Sequence, residues 1–394
     1  MPELEHIVII GGGGVGGALA HDLALRGFRV TLVEKGELLS GTSGRHHGLL
    51  HSGARYVLHD PDAARECRQE SQILRRIAPQ AVEPNGGLFV ALDDRDLSFR
   101  EAFLDRCRSA GIPAEPIPVS QALAMEPALN PALRAAVKVP DAVMDAWRLP
   151  MHFFATAQAH GAAIRNFTEV TALRVTGRTV AGVGVMDHRT KTTATIAADL
   201  VVNAAGPWAG RIGAMAGIRL PIQPGPGVMV AVQGRLTQRV INRLQPAGEG
   251  DIIVPQRGLS ILGTTAWVAD DPDTVTVPPG HVPRLFDLCR ALVPAVGDRK
   301  PHAVWSASRP LLQSGGAADP YRMSRSFDCF DHGRCDGVEG LVTVIGGKAT
   351  TMRAMAEKTA DLICQKTGRK LPGRTRDTVL LPYRCFWRSI SAAG

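Results

Sequence analysis

Aromatic residues are scarce in this chain, at 5% of 394 positions, and no dense block of lysine and arginine accompanies them. Nucleic-acid binding, which needs a basic track with stacking rings, has no support. No apolar run is long enough to cross a bilayer, so any membrane association is expected to be peripheral. The opening MPELEH leads straight into the first apolar strand, with no signal-peptide pattern before it,. The seven cysteines (Cys67, Cys107, Cys289, Cys329, Cys335, Cys364 and Cys385) contain no C-x-x-C pair. That speaks against structural zinc and cysteine-held iron–sulfur clusters, and the odd count suits reduced thiols in the cytoplasm.

What is present is a chain of globular composition, 45% hydrophobic and 21% charged, long enough for one large or two interlocked domains. Its net charge of +8 would suit an anionic substrate, an acidic membrane surface or an acidic partner. The simplest reading is arginine scattered over the surface.

The most informative stretch is His6–Lys35, HIVIIGGGGVGGALAHDLALRGFRVTLVEK. An apolar, β-branched run, His6–Ile10, predicts a buried parallel strand. Gly11, Gly13 and Gly16 form G-x-G-x-x-G. A helix is predicted over 18–26 and a second strand over 29–33, closing on Glu34. In such a unit the first glycine allows a tight turn, the second lets a pyrophosphate approach the backbone, and the third lets helix and strand pack closely. The helix N-terminus favours the phosphates. Glu34 follows Gly16 at the spacing of a carboxylate that accepts ribose hydroxyls, which disfavours a 2′-phosphate. The motif alone leaves FAD and NAD both open.

Three later segments share its character. Residues 38–56 are too rich in glycine, serine and histidine for a core. Thr42 and Ser43 offer hydroxyls, and His46, His47 and His51 cluster ahead of Arg55 and Tyr56. Zinc lacks a carboxylate or cysteine at ligand spacing there, and a loop running along a flavin uses these residues better. The strand before Ala205–Gly206 breaks into Pro207–Trp208. A final strand, 341–345, opens into Gly346-Gly347-Lys348-Ala349-Thr350-Thr351 and a helix over 352–365, a second glycine turn at a helix N-terminus. Helices are also expected over 62–77, 97–109, 120–125, 149–160 and 282–292. Strands are expected over 88–92, 135–139, 162–205 with turns, 221–232 and 252–267. The stretch after Arg369 reads as a surface arm. Four dispersed segments favour FAD, whose ring must reach a second domain, over NAD.

At these residues the sequence resembles the FAD-dependent glycerol-3-phosphate dehydrogenases, most closely the large catalytic subunit of the anaerobic bacterial enzyme. The resemblance is carried by IIGGGGVGG, ALRGFRVTLVEK, GRHHGLLHSGARY, VEPNGGLFVAL, VKVPDAVMDAWRL, VVNAAGPW, VINR, ILGTT, SRPLL, SRSFDCFDH and IGGKATTMRAMAE. It implies an α/β (α+β) architecture: a Rossmann-like FAD-binding domain interleaved with an antiparallel-sheet substrate domain, as in the D-amino-acid-oxidase-like flavoproteins. The expected division is 1–85, 141–215 and 300–382 for the FAD domain, 86–140 and 216–299 for the substrate domain, and 383–394 as a tail.

The resemblance places Arg55, Tyr56, Arg309, Arg325 and Lys348 around a small anionic substrate, with His51 near the flavin. Arginines can hold a phosphate or carboxylate by forked, charge-assisted hydrogen bonds. His51 is the candidate base, because an imidazole titrates near neutrality. The candidate cofactor contacts are Gly11, Gly13, Gly14, Val15, Gly16, Glu34 and Lys35 from the first turn, and Thr42, Ser43, His47, Gly48 and Leu49 from the loop after it. Val170, Ala205, Gly206 and Trp208 come from the middle of the chain, and Gly347, Lys348, Ala349 and Thr350 from the second glycine turn. The implied reaction is oxidation of sn-glycerol 3-phosphate to dihydroxyacetone phosphate, with electrons passing to quinone or a partner subunit. The expected place is the cytoplasm or the inner face of the cell membrane. Two features depart from the family: Pro226 stands where a lysine is usual, and His46 where an asparagine is. The resemblance further implies a cysteine-rich C-terminal domain, which is expected to be missing here. The alternatives are oxidation of another polyol phosphate, a 2-hydroxy acid or an amino acid, and a non-catalytic flavoprotein subunit of a larger complex.

Overall fold

The computed structural model describes residues 5–248, 250–312 and 326–391. Two large sheets organise it. The first has six strands in the order Phe327–Asp331, Leu341–Gly346, Leu200–Asn203, His6–Ile10, Arg29–Val33 and Ala163–Arg165. Its pairings are parallel apart from the antiparallel edge strand Phe327–Asp331. Strands of a parallel sheet are covered on both faces, and His6–Ile10 is accordingly buried throughout,. One face is covered by the helices Gly14–Leu25, Arg148–Ala159 and Met352–Lys366, which share a core with Ile7, Ile9, Leu32, Val202 and Val344. The other is covered by the three-stranded antiparallel sheet Thr168–Thr176, Thr179–Asp187 and Thr192–Ala197, through Val170, Val183 and Val185.

The second sheet has eight strands in the order Pro301–Leu312, Ile222–Gln233, Leu259–Gly263, Ile252–Gln256, Val240–Arg243, Gly87–Ala91, Ala135–Val139 and Glu115–Ile117. It is antiparallel except where Val240–Arg243 runs parallel to Gly87–Ala91. One face packs on the helix His281–Leu292. The strand Pro301–Leu312 pairs with Ile222–Gln233 from Ile222 to Val232. It therefore belongs to this sheet. A small sheet of Leu49–Leu50, Ala142–Met144 and Val82–Glu83 lies between the two.

Three local expectations need correction. The first helix begins at Gly14, not Ala18. Three glycines in its first turn would not favour helix in isolation, but Gly14 and Gly17 lie against Met352 and Phe154, so tertiary packing overrides propensity,. The helix expected over 97–109 is two helices, Asp94–Ser98 and Arg100–Ser109, the first capped by the Asp93 carboxylate on the Asp96 amide,. The segment after Arg369 is not a surface arm. Leu380 donates its amide to the Ile77 carbonyl at 2.8 Å, Leu381 donates to Thr156 Oγ1 at 2.9 Å, and the helix Cys385–Ser391 buries Phe386 against Phe154.

A buried ion pair ties this segment to the rest. Arg353, from the helix Met352–Lys366, grips Glu70 through Nε at 2.8 Å and Nη2 at 2.6 Å, and donates to Thr375 Oγ1 at 2.9 Å. Burial pushes the Glu70 carboxyl up from its ordinary value, opposed by the Arg353 guanidinium,.

Candidate active site

The glycine turn after the first strand is built by close approach. Gly11 has φ +113°, and a Cβ there would lie 2.6 Å from the Ala204 carbonyl oxygen,. A Cβ on Gly16 would lie 2.0 Å from the Gly11 carbonyl, so helix and strand can meet only at a glycine. Ser43 Oγ accepts from the Gly14 amide at 2.9 Å, which docks the following loop onto the turn. The Glu34 carboxylate is held by the Gly12 amide at 2.7 Å and the Gly36 amide at 2.9 Å. Each oxygen keeps a second lone pair for a ligand hydroxyl.

This turn forms one end of a cavity of about 640 Å³,. Gly11, Gly13, Gly14, Val15, Glu34 and Lys35 line it, as do Thr42, Ser43, His47 and Leu49. Val170, Ala205, Gly206, Trp208, Gly347, Lys348 and Ala349 complete the candidate cofactor wall. His51, Arg55, Tyr56 and Arg309 line the same cavity. Three expected contacts do not. Gly16 is spent on helix–strand packing. Gly48 is buried in its loop, where a Cβ would lie 2.7 Å from the Met144 carbonyl oxygen, and its amide donates to His46 Nδ1 at 2.9 Å. Thr350 is fully buried, with its Oγ1 accepting from the His51 amide at 3.2 Å. Arg325 lies outside the described residues.

The three histidines sit ring against ring, His46 to His47 at 6.3 Å and His47 to His51 at 6.2 Å. Burial is the main cause that lowers each of their pKa values. His46 falls to about 4, and His47 and His51 lie well below 6.5, with neighbouring imidazoles, Arg55, Arg309 and Lys348 adding repulsion,. All three are therefore neutral near physiological pH. The Leu49 amide donates to His47 Nδ1 at 3.1 Å, which leaves the proton of that ring on Nε2,. His51 Nδ1 is buried with no hydrogen-bond partner among the described residues. No group of His, Cys, Asp and Glu among them is arranged to hold a metal ion.

The cations are held by defined partners. Arg55 donates Nη1 to Asn242 Oδ1 at 3.2 Å and Nη2 to Asp251 Oδ1. Asn242 in turn reaches Asp141, whose other oxygen accepts from the Ser52 amide at 2.8 Å. Arg309 donates to the carbonyls of Gly225 at 3.2 Å and Pro226 at 3.4 Å, and to Thr264 Oγ1 at 2.5 Å. The position where the family usually has lysine thus offers Arg309 a carbonyl acceptor. Lys348 Nζ lies 5.1 Å from the centre of the Tyr56 ring, and that ring lies 5.1 Å from His51,.

Residues 6–362 match the family model described as FAD dependent oxidoreductase. The chain belongs to that family. The flavoprotein is 43% identical over 380 residues to a named subunit of the anaerobic glycerol-3-phosphate dehydrogenase of Escherichia coli (strain K12), spanning 96% of this chain and 70% of that one. It is 41% identical over 392 residues to the corresponding subunit from Haloferax volcanii, spanning 96% of this chain and 67% of the relative. Among solved structures, the glycerol-3-phosphate dehydrogenase from Bacillus halodurans complexed with FAD superposes with a TM-score of 0.75 at 24% identity, covering 100% of this chain and 72% of that one. Glycine oxidase from Geobacillus kaustophilus superposes with a TM-score of 0.74 at 24% identity, covering 96% of this chain and 99% of that one. At these identities the structural matches establish the fold.

The residues present fit FAD. The glycine cradle, the oriented Glu34 carboxylate and the second glycine turn at Gly346–Gly347 open on one continuous cavity. Sequence reasoning missed Asn242, Asp251 and Thr264, which hold the arginines. Asn242 lies in VINR and Thr264 in ILGTT, so a signal existed for both; nothing local marks Asp251. No helix among the described residues is long and apolar enough to cross a membrane.

Proposed function

We propose that this flavoprotein oxidises sn-glycerol 3-phosphate to dihydroxyacetone phosphate. The observation that carries the reading is the shared cavity: His51, Arg55, Tyr56, Arg309 and Lys348 line the same space as the dinucleotide cradle. Bound FAD supplies a two-electron acceptor for the hydride that leaves C2. The protein supplies the rest. Arg309 and Arg55 offer forked donors for the phosphate. Neutral His51 accepts the C2 hydroxyl proton as the carbonyl forms, a role its lowered pKa leaves available through the physiological range,. Lys348 places a positive charge where negative charge develops. The electrons then pass to quinone or to a partner subunit, in keeping with relatives that are named as one subunit of an anaerobic dehydrogenase. The site roles of all these residues are part of the proposal, as is the division of the chain into an FAD-binding and a substrate domain.

The test is anaerobic mixing of the FAD-loaded protein with glycerol 3-phosphate while flavin absorbance is followed. Bleaching by glycerol 3-phosphate, and not by 2-hydroxy acids or amino acids, supports the reading. A flavin that stays oxidised with every polyol phosphate defeats it. Pro226 in place of the family lysine favours a second reading, oxidation of a 2-hydroxy acid, which the same assay separates.

A further inference from the structure

The segment between the strand Leu259–Gly263 and the helix His281–Leu292 has no regular secondary structure. It is nevertheless fastened along its length. The Trp267 amide donates to the Pro226 carbonyl at 3.1 Å, and the Ala269 amide to Pro224 at 3.0 Å, so its first part lies along the second sheet. It then leaves that sheet, and Pro272, Asp273 and Val275 line the cavity. At that point Asp273 accepts from Trp208 Nε1 at 2.8 Å and from Arg211 Nη1 at 2.8 Å, while Arg211 Nη2 reaches Asp271 at 2.8 Å. Trp208 and Arg211 follow the strand Leu200–Asn203 of the first sheet. A segment rooted on one sheet thus crosses the cavity and is tied to the other.

The tie lies at the nucleotide end. Lys35 Nζ sits 5.3 Å from the centre of the Trp208 ring, one residue beyond the Glu34 carboxylate that faces the ribose site. Burial alone would push the Asp273 carboxyl up, yet the bonds from Trp208 and Arg211 hold it below its ordinary value. We propose that residues 266–275 form a strap over the adenosine half of the FAD site, and that the Asp273 bonds to Trp208 and Arg211 set how long FAD stays bound. A single exposed ion pair contributes little. Here one indole, one guanidinium and two carboxylates close together, so opening the strap breaks three directed bonds at once. FAD escapes from the open form, and its release rate follows the open fraction. The inference rests on the cofactor and not on the substrate.

The test is the rate of FAD release from the loaded protein, read as recovered flavin fluorescence after dilution, with no substrate present. Asp273→Ala is expected to release FAD about tenfold faster, the scale of a lost charge-assisted pair. Rising salt accelerates release from the wild type by screening the Arg211 pairs, and has a smaller effect on Asp273→Ala, which keeps only the Arg211–Asp271 pair,. Trp208→Phe keeps a ring but loses the N–H, and falls between. The double variant releases no faster than Asp273→Ala alone, because both remove one coupled tie. Equal release from wild type and Asp273→Ala overturns the proposal, and so does an undiminished salt response in Asp273→Ala. Thermal unfolding of the apo-proteins checks the fold. If Asp273→Ala unsettles the apo-protein, Trp208→Phe decides, and release at the wild-type rate overturns the strap.

Discussion

Arg55 and Asp251 form an ion pair in the cavity wall, with the arginine side chain 11% exposed and the carboxylate 1%. Asp251 also accepts the Gly248 amide at 3.0 Å. Burial opposes charge on Arg55, but Asp251 more than offsets it, and the guanidinium is held in its charged form. The pair therefore fixes one arm of the proposed anion site before any substrate arrives. Asp251→Asn keeps the shape and removes the charge, leaving a buried cation uncompensated. It should lower unfolding stability by about 3 kcal/mol, the cost of breaking a buried pair. Urea denaturation measures that loss, and the same variant should show a raised KM for glycerol 3-phosphate.

His51 carries the proton step in the proposed reaction. His51→Asn should slow flavin reduction at saturating substrate by at least about 100-fold, the lower range for a lost general base. The wild-type rate should hold steady as pH falls through the ordinary histidine value of 6.5, because the folded pKa lies well below it. Stopped-flow reduction across that range checks both. An acid limb centred near 6.5 would mean that His51 is not the base.

The nucleotide half of the site is legible in the sequence because its contacts are local. Gly11, Gly16 and Glu34 act within one strand–turn–helix–strand unit, where spacing fixes geometry. The substrate half is legible only through the resemblance. Arg55 and its partner Asp251 are 196 positions apart, and no periodicity or spacing joins them. That Pro301–Leu312 joins the second sheet is not legible for a related reason. Membership of a sheet is a pairing choice, and the strand Ile222–Gln233 that makes it is distant in sequence. The 370–391 segment reads as an arm because it is basic and its apolar residues are irregularly spaced, although Leu380 and Phe386 are buried.

That buried tail gives a stability prediction. Ending the chain after Thr378 removes Leu380 and Phe386 from a core shared with Ile77 and Phe154. Loss of two large apolar side chains from a packed interior should cost about 4 kcal/mol or more. The truncated protein should unfold at lower urea and expose apolar surface to a hydrophobic dye. A true surface arm would leave both unchanged.

His21 supplies a pH test of the core. Both its ring nitrogens are buried without a partner among the described residues, beside Phe153 at 5.7 Å. Burial, with repulsion from His160, lowers its pKa from 6.5 to about 3. The unfolded chain takes up a proton near 6.5 and the folded one does not until about 3, so the folded state loses ground as pH falls through that window,. At about pH 5 the penalty is about 2 kcal/mol. His21→Leu removes the titrating ring, and its stability should fall less than that of the wild type between about pH 7 and pH 5. Parallel denaturation curves at both pH values provide the measurement.

Gly227 tests the anion site from below. A Cβ there would lie 2.5 Å from Arg309 Nη2, 2.7 Å from Nη1 and 2.5 Å from the Thr265 carbonyl oxygen. The carbonyl belongs to backbone and the guanidinium to a flexible side chain, so Gly227→Ala should move Arg309 first. Flavin content should stay at the wild-type level, since Gly227 does not line the cavity. The KM for glycerol 3-phosphate should rise about tenfold or more, with a smaller change in kcat, the pattern of lost ground-state binding. Sulfate or inorganic phosphate, competing for the same guanidinium, should inhibit the variant more weakly than the wild type. Unchanged KM and unchanged inhibition would place the phosphate elsewhere in the cavity and release Arg309 from the role proposed for it.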